Sequence, residues 1–326
     1  MAIEGMMDGS IVQMPSACGG CRMPSTIMTE RGPLASKPRM LTRVNLWSWP
    51  GEFVATAPGG LKGAEIVFPF VSVGATETAM MAATLAKGTT KIVNAAREPE
   101  VADLAACLAA MGARIDGAGT HRISIQGPTD WQSAQHHIIP DRIEAGTYAV
   151  AAAITGGSLE LTNTRLEHLA SVVEVLETMG VSVWPSDRGL VVTGRDVVGP
   201  ADITTEPYPG FPTDLQAQFM ALACRADSAS LIRETIFENR FMHVPELRRL
   251  GADITLSGTT ALVRGGSPLK GAPVMATDLR ASVSLVLAAL IAEGETIVNR
   301  IYHLDRGYEQ LDRKLAQCGA AIERLP

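Results

Sequence analysis

The chain repeats one structural plan four times, and this repeat limits the folds that it can adopt. Each copy runs from an apolar strand through a polar loop to an amphipathic helix that ends at a glycine followed by a small residue. These glycines recur about every 70 residues, as expected of a repeat protein built from similar units, and they are Gly112, Gly180, Gly251 and Gly319. Strands that alternate with helices predict an α/β fold of repeated units.

The loops between strand and helix carry an arginine in every copy. These residues are Arg97, Arg165, Arg240 and Arg306. A guanidinium group binds phosphate and carboxylate groups through paired hydrogen bonds, and helix N-termini favour negative charge. The loops therefore indicate a site for small anions.

Composition excludes several classes of protein. A net charge of −6 argues against a nucleic acid partner, and no apolar run is long enough for membrane insertion. The five cysteines are an odd, scattered set, which favours a reducing compartment over a disulfide framework. Because the first residues also lack the order of a signal peptide, we expect a cytoplasmic protein.

The sequence pattern changes near residue 53. Residues 1–52 are rich in Met, Pro, Ser and Arg and show no sustained period, so we predict an irregular segment. From Phe53 onward, strand and helix patterns follow one another without a break. The second copy begins near Asp141, which predicts a first domain over 53–139 and a second domain over 140–326. The first helix of each copy is almost wholly small and apolar, which predicts that it is buried.

Several polar stretches are too specific to reflect packing alone. In chain order they are 71–76 (VSVGAT), 94–100 (NAAREPE), 140–147 (PDRIEAGT), 211–219 (FPTDLQAQF), 234–247 (ETIFENRFMHVPEL), 276–282 (ATDLRAS) and 302–309 (YHLDRGYE). Together they resemble the UDP-N-acetylglucosamine enolpyruvyl transferases (UDP-N-acetylglucosamine 1-carboxyvinyltransferases). The resemblance runs from about Phe53 to Pro326.

The resemblance implies an inverse barrel of repeated α/β units in two domains, the first of which is incomplete here and serves the nucleotide. It also implies transfer of the enolpyruvyl group of phosphoenolpyruvate to the 3′-hydroxyl of UDP-N-acetylglucosamine, with release of phosphate. This reaction is the first committed step of peptidoglycan synthesis. The resemblance therefore also implies a role in cell-wall growth, cell shape and cell division. The family needs neither a metal nor an organic cofactor.

The family's roles carry over to matching residues of the second domain. Asp214 is the candidate general base beside the sugar hydroxyl, and Asp278 is a second acid near the reacting centre. Arg240 and Arg280 would hold the carboxylate of phosphoenolpyruvate, while Arg306 would hold its phosphate and assist catalysis. The ordinary alternatives are helix capping for the two acids and solvated surface charge for the arginines.

The remaining roles concern the nucleotide and a cysteine. The loop that would bind uridine comprises Phe70, Val71, Ser72, Val73 and Gly74, and the backbone of Ile236 would meet the nucleotide sugar. Cys21, in Gly19-Gly20-Cys21, matches the family's catalytic cysteine. The segments that the family carries after this cysteine are missing. A shift of reading frame between Cys21 and about Phe53 would explain both observations, and the nucleotide sequence tests it.

Two alternatives to this function remain open. One is the related shikimate-phosphate enolpyruvyl transferase, which shares the fold and the chemistry but fits the stretches at 71–74 and 238–243 less well. The other is a non-catalytic remnant that binds a UDP-sugar or a partner.

Overall fold

The computed structural model describes residues 2–3, 45–49 and 52–325, which fall into two compact units. The first unit contains the described residues from 45 to 139. The second contains residues 140–325 together with a short strand, β1 (Ala2–Ile3).

The first unit contains one copy of the repeat. Its strands and helices are β2 (Asn45–Trp49), β3 (Glu52–Thr56), β4 (Glu65–Val67), α1 (Val73–Thr84), β5 (Thr89–Val93), α2 (Pro99–Ala110), β6 (Arg114–Asp116) and β7 (Arg122–Gln126). Strands β2 and β3 form an antiparallel pair. The other strands form a sheet in the order β4-β5-β7-β6, in which β4 and β5 are parallel and the remaining pairs antiparallel.

The second unit repeats this topology. Its strands are β8 (Ser158–Thr162), β9 (Ser182–Ser186), β10 (Gly189–Thr193), β11 (Ile203–Thr204), β12 (Ser230–Arg233), β13 (Asp253–Ser257), β14 (Thr260–Arg264), β15 (Pro273–Met275) and β16 (Ile297–Asn299). Its helices are α3 (Arg142–Thr155), α4 (Ala170–Thr178), α5 (Gln216–Cys224), α6 (Val244–Arg249), α7 (Val283–Ala289), α8 (Tyr302–Asp305) and α9 (Leu311–Gln317). Two sheets, β1-β8-β10-β9 and β11-β12-β14-β13, have the strand order seen in the first unit, and β15 pairs in parallel with β16.

The predicted glycine stops are confirmed. Helices α2, α4, α6 and α9 are each followed, one residue after their C-cap, by a glycine with φ between +86° and +107°. This left-handed conformation is open to glycine because it has no Cβ, and it ends a helix by turning the chain away. The repeat is thus visible in the backbone as well as in the sequence.

Burial of the small apolar helices agrees with the prediction in the second unit but not in the first. Helices α3, α5 and α7 pack on one another, and nearly all their residues are buried. In the first unit, α1 packs on α2 and on one face of the sheet, so Met81 and Leu85 are exposed within that unit.

The predicted irregular segment, 1–52, contains two described strands, β1 and β2. Strand β2 is paired with β3, and both are rich in residues that favour extended structure, including Trp47, Trp49 and Phe53. The five-residue pair was missed because it is too short to establish a period. None of the helices in the described part of the chain is both long and apolar enough to cross a bilayer.

Candidate active site

Asp214 lies in a short 3-10 helix, Thr213–Leu215, that leads into α5. Its carboxylate makes no helix-capping hydrogen bond; instead, Oδ1 lies 2.5 Å from Nη2 of Arg240. The Asp214 side chain is 41% exposed, whereas that of Arg240 is 12% exposed. Asp214 therefore does not cap the helix, and its carboxylate remains accessible to a ligand.

Arg240 comes from the turn between β12 and α6. Its Nη1 donates to Oγ1 of Thr213 at 3.0 Å, so the guanidinium contacts two successive residues of the 3-10 helix. A guanidinium group has five N–H donors, and these two contacts leave others for a ligand. The interpretation of Arg240 as a freely solvated charge is wrong, because the side chain is mostly buried and paired.

Asp278 fixes the turn that precedes α7, and it does not cap the helix itself, whose N-cap is Ser282. Its Oδ1 accepts hydrogen bonds from the backbone N–H groups of Arg280 at 2.8 Å and Ala281 at 2.7 Å. The hydroxyl of Ser282 accepts from the N–H groups of Thr277 and Asp278. These bonds fix the turn before α7, and they fix the start of the Arg280 side chain with it.

Arg280 is the most constrained of the predicted arginines. Its Nη1 donates to the carbonyl of Gly307 at 2.7 Å, its Nη2 donates to Asp141 Oδ2 at 2.9 Å, and its guanidinium lies over the ring of Tyr308. Burial lowers the pKa of Arg280, but the negative charge and hydrogen bond of Asp141, together with the charge of Asp214, outweigh it and raise the pKa above its ordinary value. The guanidinium is a fixed cation near Asp214.

A buried polar network connects these groups. Nε2 of Gln218 lies within hydrogen-bond distance of the backbone carbonyl of Asp214, of Thr147 Oγ1 and of the Tyr308 hydroxyl, at 2.9, 3.2 and 3.2 Å. The hydroxyls of Thr147 and Tyr308 are 3.0 Å apart. Burial raises the pKa of Tyr308 to about 12, so this hydroxyl stays protonated and available for hydrogen bonding. Asp214, Arg240 and Arg280 are thus brought together on one framework.

The remaining predicted residues of the second unit are less constrained. Arg306 is exposed at the end of α8, and no hydrogen bond or ion pair joins its side chain to another described residue. Ile236 and Phe237 are 44% and 52% exposed, and both form part of the turn before Arg240. His243 is fully buried, and burial lowers its pKa to about 4, so at neutral pH the ring is uncharged.

The predicted uridine loop lies in the first unit at the N-terminus of α1. Ser72 is the N-cap, and its Oγ accepts a hydrogen bond from the N–H of Ala75. Phe70 is 70% exposed within the unit, which is unusual for a large apolar side chain, and Gly74 is exposed in the first helical turn. An exposed ring beside a helix N-terminus can stack on a planar group while the N–H groups meet an anion.

One predicted residue cannot be placed, and two residues that contribute contacts had no predicted role. Cys21 lies outside the described residues. Asp141 and Glu234 had no predicted role, although an acid three residues before Glu144 is the pattern of a helix start, and Asp141 does cap α3. Among the described residues, no group of three or more His, Cys, Asp or Glu side chains is arranged to hold a metal ion.

The fold is that of the enolpyruvyl transferases. The enolpyruvyl transferase NikO from Streptomyces tendae matches with a TM-score of 0.76 at 28% identity, over 86% of this chain and 70% of that one. An EPSP synthase from Acinetobacter baumannii matches with a TM-score of 0.65 at 19% identity, a likeness of fold alone.

The particular family follows from the sequence. Residues 51–315 match the family model of EPSP synthase (3-phosphoshikimate 1-carboxyvinyltransferase), and the chain belongs to this family. It is also 76% identical over 275 residues to UDP-N-acetylglucosamine 1-carboxyvinyltransferase 2 of Mesorhizobium japonicum, and 63% identical over 277 residues to the UDP-N-acetylglucosamine 1-carboxyvinyltransferase of Rhodospirillum centenum. Each match covers 84% of this chain. The chain spans 66% of the length of the Mesorhizobium relative and 64% of the length of the Rhodospirillum relative.

Proposed function

We propose that the chain acts in the transfer of the enolpyruvyl group from phosphoenolpyruvate to the 3′-hydroxyl of UDP-N-acetylglucosamine, the first committed step of peptidoglycan synthesis. The observation that carries this proposal is the grouping of an accessible carboxylate, Asp214, with two constrained guanidinium groups, Arg240 and Arg280. A base beside two fixed cations suits a reaction between a hydroxyl and a donor that carries both a carboxylate and a phosphate.

The proposed chemistry assigns a step to each group. Asp214 takes the proton of the acceptor hydroxyl, whose oxygen bonds to C2 of phosphoenolpyruvate while a proton enters at C3. Loss of phosphate from C2 and of a proton from C3 then restores the double bond. Arg240 and Arg280 hold the donor's carboxylate, and Arg306, exposed and without a described ion-pair partner, is free to meet the phosphate. No metal or organic cofactor takes part.

The nucleotide end of the acceptor would use two further segments. The loop at Phe70–Gly74 offers an exposed ring and a helix N-terminus to the uridine diphosphate part. At Ile236 the backbone N–H donates to Glu234, so the carbonyl is the backbone group left to meet a donor on the sugar. Asp278 acts by fixing the Arg280 turn, and Cys21 remains a predicted catalytic residue.

The acceptor is proposed from identity within the family. The two relatives named for UDP-N-acetylglucosamine are 76% and 63% identical to the chain, whereas the EPSP synthase from Acinetobacter baumannii is 19% identical. The shikimate-phosphate acceptor is therefore disfavoured. We also propose a cytoplasmic location, since Cys107, Cys224 and Cys318 are free thiols, as is usual in a reducing compartment.

Phosphate release on mixing the purified chain with phosphoenolpyruvate and UDP-N-acetylglucosamine tests the proposal. We expect Asp214→Asn to slow turnover about 100- to 10,000-fold, the usual contribution of a general base. Asp187→Asn removes the same charge from an exposed position of the same unit and should leave the rate unchanged.

Three outcomes would contradict the proposal. Phosphate release with shikimate 3-phosphate in place of the nucleotide sugar would assign the other acceptor. Binding of UDP-N-acetylglucosamine without turnover would favour the non-catalytic remnant. Equal rates for Asp214→Asn and the wild type would exclude the assigned base.

A further inference from the structure

Glu234 is a buried carboxylate that receives four hydrogen bonds. Glu234 is the residue directly after β12, and it is 1% exposed. Oε1 accepts from the Thr205 hydroxyl at 2.7 Å and from the N–H groups of Ile236 and Phe237 at 2.9 and 3.0 Å. Oε2 accepts from the Thr213 hydroxyl at 2.9 Å. Three of these bonds fall on Oε1 and one on Oε2, so the carboxylate uses most of its acceptor capacity within the fold.

The two oxygens of Glu234 serve two different segments. Oε1 holds the turn whose side chains Ile236 and Phe237 face solvent. Oε2 orients the hydroxyl of Thr213, which in turn accepts the hydrogen bond from Arg240 Nη1. Because Thr213 uses its single proton on Glu234, its oxygen lone pairs are left for the arginine. One buried charge therefore sets the geometry of the turn and of the arginine that pairs with Asp214.

The turn displays the large apolar side chains of Ile236 and Phe237, and it is anchored by bonds to a buried carboxylate, which are stronger than neutral hydrogen bonds. Rigid support beneath exposed contact residues is the design expected of a binding site, since it reduces the ordering that a ligand must impose.

We propose that Glu234 is a positioning residue, which holds the Ile236–Phe237 turn and, through Thr213, the Arg240 guanidinium in the arrangement that receives the nucleotide sugar. The inference rests on the proposed function, because that function supplies the ligand. Glu234 itself is 1% exposed, so it acts through these neighbours and does not touch the ligand.

The test combines amide hydrogen exchange with binding of UDP-N-acetylglucosamine to the full chain. We expect Glu234→Gln to speed exchange at residues 236 and 237 and to weaken binding, each about tenfold, the equivalent of one bond to a charged group. Thr213→Val removes the bond to Glu234 Oε2 and the link to Arg240 but keeps the three bonds to Oε1, so it should weaken binding and leave the exchange of the turn unchanged. Thr213→Ser restores the hydroxyl and should restore the affinity.

Two controls separate positioning from stability and from net charge. Val192→Ala creates a cavity under β10, away from the site, and should lower the melting temperature without changing exchange at 236–237 or binding. Glu174→Gln removes a charge from the exposed face of α4 and should change neither.

The outcomes distinguish this inference from the proposed function. If the wild type binds the nucleotide sugar and Glu234→Gln binds it equally well, the positioning role is excluded while the function stands. The role is also excluded if Glu234→Gln resembles Val192→Ala, with a lower melting temperature alone. No binding by the wild type would overturn the proposed function and the positioning role together, and the exchange data would still report whether Glu234 fixes the turn.

Discussion

Asp141 uses one carboxylate for two purposes, and two substitutions can separate them. Its Oδ1 accepts hydrogen bonds from the N–H groups of Ile143 at 2.8 Å and Glu144 at 3.0 Å, which caps α3. Its Oδ2 accepts from Arg280 Nη2 at 2.9 Å. Asparagine is as good an N-cap as aspartate but lacks the charge. Asp141→Asn therefore removes the ion pair, whereas Asp141→Ala removes the ion pair and the cap.

The structure sets the size of each loss. The side chains of Arg280 and Asp141 are 17% and 33% exposed, so solvent screens the pair only in part. Leaving a partly buried guanidinium without its charged partner costs about 1–2 kcal/mol, since screening keeps the loss near the lower end of the usual range. Loss of the cap adds about 1 kcal/mol. We expect Asp141→Asn to lower the free energy of unfolding by about 1–2 kcal/mol and Asp141→Ala by about 2–3 kcal/mol.

Urea unfolding followed by circular dichroism measures both losses, because the free energy of unfolding falls linearly with urea. Repeating the measurement in 1 M salt should reduce the loss for Asp141→Asn, while the difference between the two variants, which reflects the cap, should stay the same. Wild-type stability for Asp141→Asn would refute the assigned ion pair. Equal stability of the two variants would refute the assigned cap.

Two further predictions concern buried positions. Burial lowers the pKa of His243 to about 4, below its value of about 6.5 in the unfolded chain. The free energy of unfolding should therefore be highest above about pH 6.5 and fall by about 3 kcal/mol as the pH drops towards 4. His243→Gln should lose this part of the pH dependence in urea unfolding at pH 7 and 5, and an unchanged slope would contradict the assignment. A Cβ on Gly265 would lie 2.0 Å from the carbonyl oxygen of Ala226, so Gly265→Ala should cost at least about 2 kcal/mol. Gly199→Ala, which meets only ordinary contacts, is the matched control, and equal melting temperatures for the two variants would exclude the clash.

Local signals account for the part of the fold that could be predicted. Helix α2 (Pro99–Ala110) carries its signals within one segment, since a proline opens the helix and a glycine follows its C-cap. The repeat was visible for the same reason, since each copy carries its own glycine stop. The strand pair β2 and β3 was missed because neither strand is long enough to show a period.

The predicted site residues came from the resemblance, and the contacts that hold them had no local signal. The bond between Arg280 and Asp141 joins residues 139 positions apart, and that between Thr147 and Tyr308 joins residues 161 positions apart. A sequence shows each of these residues only in its own context, where Asp141 is a helix cap and Tyr308 a loop aromatic. Their joint role depends on the packing of α3 beside α7, which no single segment specifies.

The copies of the repeat agree in backbone and differ in side chains, and this difference creates the candidate site. The glycine stops recur in every copy, yet Arg97 and Arg165 are exposed, while Arg240, from the equivalent loop of the third copy, is mostly buried. In the third copy the arginine has a charged partner, Asp214, and a buried carboxylate, Glu234, bonds to Thr213, which the same arginine contacts. The repeated loop offers an arginine in each copy, and in the third copy the neighbouring acids fix it. Glu234 and Asp141 also accept hydrogen bonds from backbone N–H groups, so the acids that hold Arg240 and Arg280 also stabilise the local fold. Removing either acid would therefore disturb the backbone as well as the arginine.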